Sequence, residues 1–305
     1  MPPRLSTPHY DRAAYRRADD GWLAAAWERG RVLAVTAKSA ALVDASEQAL
    51  AFGPSSAVPQ DAPRRFLGEL DLGDGSGPVP YFAATVEPAV GQEESGQWRT
   101  LRDLGSVIDD TTGGMFAAAI GLEQWHQRHG HCPLCGTPTV ESLAGWTRTC
   151  PQDGSTHFPR TDPAVIMLVT DDRDRALLGR SRAWPAGRFS TLAGFVEPGE
   201  SLESAVVREV AEEVDVAITD ITYVGSQPWP FPSSLMIGFF ARLDGDPTLT
   251  CDMEEMAEAG WFTREEVRRA AQWTDTGRTP DPEVQLQAIS PVLSISRYLV
   301  DEWLT

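Results

Sequence analysis

The sequence predicts an α/β protein with more than one domain. Three observations carry this expectation: the chain has 305 residues, apolar runs of strand length alternate with helix-periodic segments, and a cysteine-bearing insert separates two such stretches. Length counts because a single core rarely grows beyond roughly 250–300 residues. With 42% hydrophobic and 23% charged residues, the chain has the material for a packed core. Its net charge of −18 argues against non-specific binding to nucleic acid or anionic lipid. An anionic substrate is still compatible if metal ions or a few placed arginines offset the charge locally. No apolar run reaches the ~18 residues of a membrane span. The opening residues, MPPRLSTPHYDRAAYRR, lack the apolar centre of a signal peptide. The expected location is the cytoplasm, with no membrane partner.

Residues 1–125 form the first α/β stretch. In it RVLAVTAKSAALVD (31–44) and PVPYFAATVE (78–87) read as strands, separated by turns such as LGDGSGP, and TTGGMFAAAIGLEQWHQRHG (111–130) reads as a closing helix. No catalytic motif falls there, so the expected role is a scaffold or dimerisation domain. Residues 126–159 hold the cysteine insert. The third segment, 160–290, opens on TDPAVIMLVTDD, the pattern of a fully buried strand. The tail, 291–305, is amphipathic and predicted helical. No internal repeat is visible.

In the insert, Cys132 and Cys135 form a knuckle and Cys150 follows after fourteen intervening residues. A zinc ribbon needs a second knuckle whose last ligand stands three residues on, and that position is Asp153. His157 is the other nearby donor. The expectation is a structural Zn²⁺ on Cys132, Cys135, Cys150 and either Asp153 or His157. Cys251 lies far off in sequence and reads as an unligated thiol.

The strongest signal is LAGFVEPGESLESAVVREVAEEVDV (192–216). Gly194 is expected to start a turn, and Ser201 to cap a helix carrying Arg208, Glu209, Glu212 and Glu213. Glu209 and Glu213 are four apart, so both carboxylates project from one face, with Glu212 beside them. Like charges at this spacing repel unless a cation lies between them, and clustered carboxylates suit Mg²⁺ or Mn²⁺. Arg208 and Glu200 are placed to brace the cluster. Farther on, SQPWPFPSSLM (226–236) alternates prolines with Trp229 and Phe231, which predicts a stiff, extended loop displaying two rings.

Gly194, Glu200, Arg208-Glu209, Glu212-Glu213 and the aliphatic Val210 and Val216 resemble the Nudix box, G-x5-E-x7-R-E-U-x-E-E-x-G-U with U aliphatic. One position departs: Asp215 stands where the box has its final glycine, at an expected cost of about 1 kcal/mol at most. Downstream of such a box, SQPWPFPSS is similar to the signature of the NADH pyrophosphatase subfamily. That subfamily also carries a zinc ribbon directly before its Nudix domain, and the truncated ribbon is most like its actinobacterial branch. The resemblance spans nearly the whole chain.

It implies a Nudix α/β/α sandwich preceded by a zinc-ribbon insert and an N-terminal α/β domain. The implied reaction is NAD(H) plus water giving NMN(H) and AMP, together with removal of NAD caps from RNA 5′ ends, by a homodimer. Carried over by position, Glu209, Glu213, Glu255 and the carbonyl of Ala193 hold the catalytic metals. Either Glu212 or Glu213 serves as general base. The implied substrate contacts are Gln227, Pro228, Trp229, Pro230, Phe231, Pro232, Ser233 and Ser234, with Phe158, Phe195, Ser296 and Arg102. Core packing is the competing expectation for the rings of Phe158 and Phe195. Arg148, Arg160, Arg180 and Arg182 are expected to form a basic patch for a single strand. Two alternatives are a hydrolase of another nucleoside diphosphate, such as ADP-ribose, and a non-catalytic nucleotide sensor. The proline loop counts against the first, and the intact carboxylates and strong acidity count against the second.

Overall fold

The computed structural model describes every residue except 1, 7–8, 45, 47, 89–96, 253, 273–280 and 282, so those parts of the predicted 1–125 and 160–290 domains lie outside the described residues. In the first stretch, helix α1 (Asp20–Arg29) leads into β1 (Arg31–Val35), β2 (Ala40–Leu42), β3 (Phe52–Pro54), β4 (Arg64–Leu70), β5 (Val79–Thr85) and β6 (Trp98–Thr100). Helices α2 (Leu101–Leu104) and α3 (Asp110–Arg128) follow. The strands make one sheet in the order β4-β5-β1-β2-β6, with β3 also on β1. The strand expected over 31–44 is broken after Val35 by a turn that Ser39 enters with φ 65°. The Thr36 amide donates across it to Ala40 O at 2.8 Å. Val32, Phe66, Phe82 and Ala84 pack beneath Ala26 and Trp27 of α1.

The cysteine insert forms a small antiparallel sheet of β7 (Val140–Ser142), β8 (Thr147–Thr149) and β9 (Thr156–His157). It belongs to the same compact unit as the first sheet, which takes in residues 5–161 and 228–233. A buried ion network ties the two together. Arg65 of β4, only 3% exposed, pairs with Glu123 of α3 and with Glu141 of β7, each at 3.1 Å. His126 Nε2 donates to Gly145 O at 2.8 Å, and Arg148 donates to His126 Nδ1 at 2.9 Å. Burial pushes the His126 pKa down, in keeping with a neutral ring held between those two partners. Arg148 is thereby spent inside the ribbon, and Arg180 is paired with Glu258 at 3.3 Å. The expected four-arginine patch therefore loses two members.

The second unit comprises residues 1–4, 162–227 and 234–305. Its strands are β10 (Asp162–Thr170), β11 (Ala176–Ser181), β12 (Leu192–Phe195), β13 (Ile218–Trp229), β14 (Ser234–Leu243) and β15 (Met256–Phe262), and its helices are α4 (Leu202–Val214), α5 (Arg264–Ala271) and α6 (Ile295–Leu304). The central strand β10 is apolar on both faces. Val165, Met167 and Val169 pack on Val206, Val210 and Val214 of α4, while Ile166 and Leu168 join Val267 of α5 and Leu299 and Trp303 of α6. Period-two alternation of side chains thus makes an α/β/α sandwich from one continuous hydrophobic run.

Strand for strand, the two sheets share one plan. The second reads β13-β14-β10-β11-β15 with β12 on β10. In each, the central strand is parallel to one neighbour (β5 or β14) and antiparallel to the others (β2 and β3, or β11 and β12). The expectation of no internal repeat is therefore corrected at the level of topology. Between the third and fourth strands the copies differ: a three-residue 3₁₀ turn, Ser55–Ala57, stands between β3 and β4 where α4 stands between β12 and β13. Among the described residues no helix is long and apolar enough to cross a membrane.

Candidate active site

Helix α4 begins where expected, with Ser201 Oγ accepting from the Ser204 amide at 3.1 Å. It ends on Asp215 in the left-handed region, at φ 57° and ψ 45°. Gly194 lies inside β12 rather than at a turn, and the turn falls at Gly199, whose φ is +99°. Gly194 is required for space. A Cβ there would stand 1.8 Å from the carboxyl carbon of Glu209, so only glycine lets that carboxylate lie across the strand.

Arg208 organises the cluster from one side. Its guanidinium meets Glu200 at 2.5 Å, Glu209 at 2.8 Å and Glu212 at 2.9 Å, and it donates to Phe195 O at 2.9 Å. Glu200 in turn accepts from the Glu197 amide at 2.8 Å, which closes the turn before the helix. These carboxylates hold the Arg208 pKa above its ordinary value and Arg208 holds that of Glu200 below it.

Glu209 and Glu213 are buried side chains on the β12-facing flank of α4, whereas Glu212 is exposed. The Asp252 amide donates to the Glu213 carbonyl at 3.0 Å, and this tie brings the next turn, with Glu255, to the same place. Burial, then the charges of Glu209 and Glu255, push the Glu213 carboxyl up to about 8, while the backbone of Ala193 draws it down. Burial likewise raises Glu209. Oε2 of Glu213 is buried with no hydrogen-bond partner among the described residues. Two buried, mutually repelling carboxylates with an orphaned oxygen form a donor set that suits a hard divalent cation. Glu209, Glu213, Glu255 and Ala193 are thus brought together.

The other predicted residues divide. Trp229 ends β13 and residues 230–233 make the turn into β14, so the segment is a hairpin tip rather than an extended loop throughout. Gln227 is fully buried: its amide donates to Arg4 O and Leu293 O at 2.8 and 2.7 Å and accepts from the Ile295 amide at 2.8 Å. Both of its donors are spent on the fold, which corrects the expectation of a substrate contact. Ser296, 2% exposed, is bound to Ser190 Oγ at 2.8 Å and Thr191 Oγ1 at 3.0 Å, and so is also enclosed in the fold.

Residues 228–233 belong to the first unit. There Gln124 donates to Pro230 O at 2.9 Å, the Trp229 and Phe231 rings meet edge-on at 5.1 Å, and the Arg102 guanidinium lies 4.0 Å from the Phe231 centroid. Pro228 and Ser233 are half-buried in this tip and Pro232 is exposed, while Ser234 opens β14 opposite Asp162. Phe158 is 70% and Phe195 58% exposed, so neither ring is a core residue. Sequence reasoning missed Gln124, whose only signal is its place on α3.

In the ribbon, donor atoms of Cys132, Cys135, Cys150 and Asp153 all lie within 4.8 Å of one another. The two knuckles repeat the pattern C-P-x-[C/D]-G. Gly136 N donates to Cys132 O at 2.9 Å and Gly154 N to Cys150 O at 3.0 Å, with φ of +74° and +73° at the glycines. Asp153 therefore occupies the place in the second knuckle that Cys135 occupies in the first. His157 Nε2 instead faces Ser155 Oγ at 3.0 Å, outside the cluster. Three thiols and a carboxylate at this spacing fit tetrahedral Zn²⁺. Hydrogen bonding, chiefly from Ser155, brings the Cys132 thiol to about 7, and burial pushes that of Cys150 up to about 11.

A sandwich that holds paired, buried carboxylates over a glycine strand defines a class of metal-dependent hydrolase. Comparison with known families agrees. Residues 160–281 match the NUDIX domain, 127–158 the NADH pyrophosphatase zinc ribbon domain, and 21–125 the NADH pyrophosphatase-like rudimentary NUDIX domain. The NAD-capped RNA hydrolase NudC of Mycobacterium bovis (strain BCG / Pasteur 1173P2) is 39% identical over 301 residues, which is 99% of this chain and 94% of that protein. The human NAD-capped RNA hydrolase NUDT12 is 37% identical over 217 residues, 66% of this chain and 47% of that one. Among solved structures, a NUDIX hydrolase from Nitrosomonas europaea covers 44% of this chain and 78% of its own at 22% identity, with a TM-score of 0.38. The chain belongs to the Nudix hydrolases, in the NudC-type branch of NADH pyrophosphatases and NAD-capped RNA hydrolases.

Proposed function

We propose that the protein hydrolyses the pyrophosphate of NAD(H) to NMN(H) and AMP, and releases NAD caps from RNA by the same cleavage, in the cytoplasm and as a homodimer. The observation that supports this most is the convergence of Glu209, Glu213 and Glu255 around an unpartnered carboxylate oxygen. In this reading the three carboxylates and Ala193 O would hold Mg²⁺ or Mn²⁺, which would supply charge neutralisation at the pyrophosphate and a lowered pKa for water. Glu213 or Glu212 accepts the proton of that water. Arg208 is a positioning residue whose guanidinium bridges Glu209 and Glu212 and offsets their repulsion. The exposed rings of Phe158 and Phe195 and the half-buried Trp229–Phe231 tip are the aromatic groups offered to the flat rings of the substrate. Arg102 adds a cation at the tip.

The test is incubation with NADH, ADP-ribose and NAD-capped RNA in Mg²⁺ or Mn²⁺, with products resolved by chromatography. NMNH and AMP are expected from NADH, with ADP-ribose the poorer substrate. Glu213→Gln should lower turnover by about 10²-fold or more without loss of the folded state. An active Glu213→Gln protein would remove the metal-site assignment.

A further inference from the structure

Residues 9–22 read HYDRAAYRRADDGW, with three arginines set among three aromatic rings. This segment is held on the edge strand β4. The Asp11 amide donates to Glu69 O at 2.9 Å, and the Glu69 amide donates back to Asp11 O at 2.7 Å. Ala13 then turns the chain in the left-handed region at φ 42°, and Arg17 comes back to donate to Arg12 O at 3.4 Å. Trp146 of the ribbon meets the segment there, its Nε1 donating to Phe66 O at 2.7 Å. The Arg17 guanidinium lies 3.7 Å from the Trp146 ring centroid and that of Arg12 lies 5.6 Å from it. Arg12 also stands 5.8 Å from the Tyr10 ring. All of these residues lie in the first unit.

Two guanidiniums on one ring repel each other. Neither Arg12 nor Arg17 is paired with a carboxylate among the described residues, whereas Arg16 has Glu69 at 3.8 Å. The carboxylates of Asp11 and Asp19 turn to the backbone, accepting from the Ala13 and Trp22 amides at 2.7 and 2.9 Å. Burial and the charge of Arg12 pull the Arg17 pKa below its ordinary value. Tyr10 Oη, Arg16 Nε and Arg17 Nε are buried donors with no partner among the described residues. Fastening the segment to the ribbon takes one cation on the ring; a second adds repulsion, and orphaned donors call for an acceptor. We propose that Arg12, Arg17 and Tyr10 bind a phosphate group, as carried by a mononucleotide or by single-stranded RNA. Its tetrahedral oxygens can meet two guanidinium forks and a hydroxyl, where a carboxylate has only two oxygens to offer. The site uses neither the catalytic carboxylates nor the reaction proposed above.

The test is equilibrium dialysis of the full chain against radiolabelled inorganic phosphate, at low ionic strength and with chelator present. Saturable binding is expected. Arg12→Gln and Arg17→Gln should each weaken it by about tenfold or more, the loss of a charge-assisted hydrogen bond. Arg12 is exposed, so its replacement spares the fold, and circular dichroism checks the same for Arg17→Gln. Arg173→Gln, at an exposed arginine of the second unit, should leave binding unchanged. AMP and an uncapped RNA of about ten nucleotides, within the span of single-strand sites, are then added as competitors. Whichever displaces the label at the lower concentration of phosphate groups identifies the carrier, monoester or diester. Acetate at equal ionic strength should displace none. Absence of saturable binding, equal affinity in the unaltered chain and Arg12→Gln, displacement by acetate, or displacement by neither nucleotide would overturn the proposal.

Discussion

Glu213 concentrates the electrostatic cost of the site in one side chain. Its carboxyl is held at about 8 against an ordinary 4.5, chiefly by burial. Between those values the folded protein keeps a proton that the unfolded chain has released, so stability falls as pH rises through that window and levels off above it. Urea midpoints of chelated protein should therefore drop from pH 5 to pH 8, and Glu213→Gln should flatten that slope. Identical slopes would exclude Glu213 as the source. At the other end of α4, Asp215 sits in left-handed geometry that glycine adopts freely. Asp215→Gly should gain about 1 kcal/mol at most, raising the melting temperature by about 2–4 °C; an unchanged midpoint would defeat that account. The carboxylate positions were legible because i,i+4 spacing on a helix is a statement of geometry. The reason for Gly194 was not, since the side chain that needs its empty space arrives from fifteen residues on. The fates of Gln227 and Ser296 were equally hidden, because their partners come from distant segments.

Helices and knuckles differ in how much a local sequence can say. The α4 boundaries follow from Ser201 and Asp215, and the β10 run from its unbroken apolar pattern. The strand expected over 31–44 failed because a lysine–serine turn interrupts an otherwise apolar stretch. The proline loop read as extended, but the return into β14 is set by strand pairing that prolines alone do not reveal. For the ribbon, the sequence left Asp153 and His157 as equal candidates, and the matched glycine turns favour Asp153. Elemental analysis should find one zinc in His157→Ala and markedly less in Asp153→Ala after dialysis against a chelator. Zinc lost from His157→Ala alone would reverse the assignment.

On the scale of the whole molecule, the class of fold and the order of its segments were readable, while the duplication was not. Two sheets of one plan share pairing rather than residues: only one copy carries the box, so no motif recurs to betray the other. Without a catalytic helix, the first copy lacks the clustered buried carboxylates of the second, and its own buried Glu123 is paired with Arg65. That copy includes the ribbon and the tip residues 228–233, whereas the box belongs wholly to the other. Under the function proposed above, replacing the rings of the tip should leave a protein that still cuts pyrophosphates but chooses less well among them, which the ratio of NADH to ADP-ribose turnover would show.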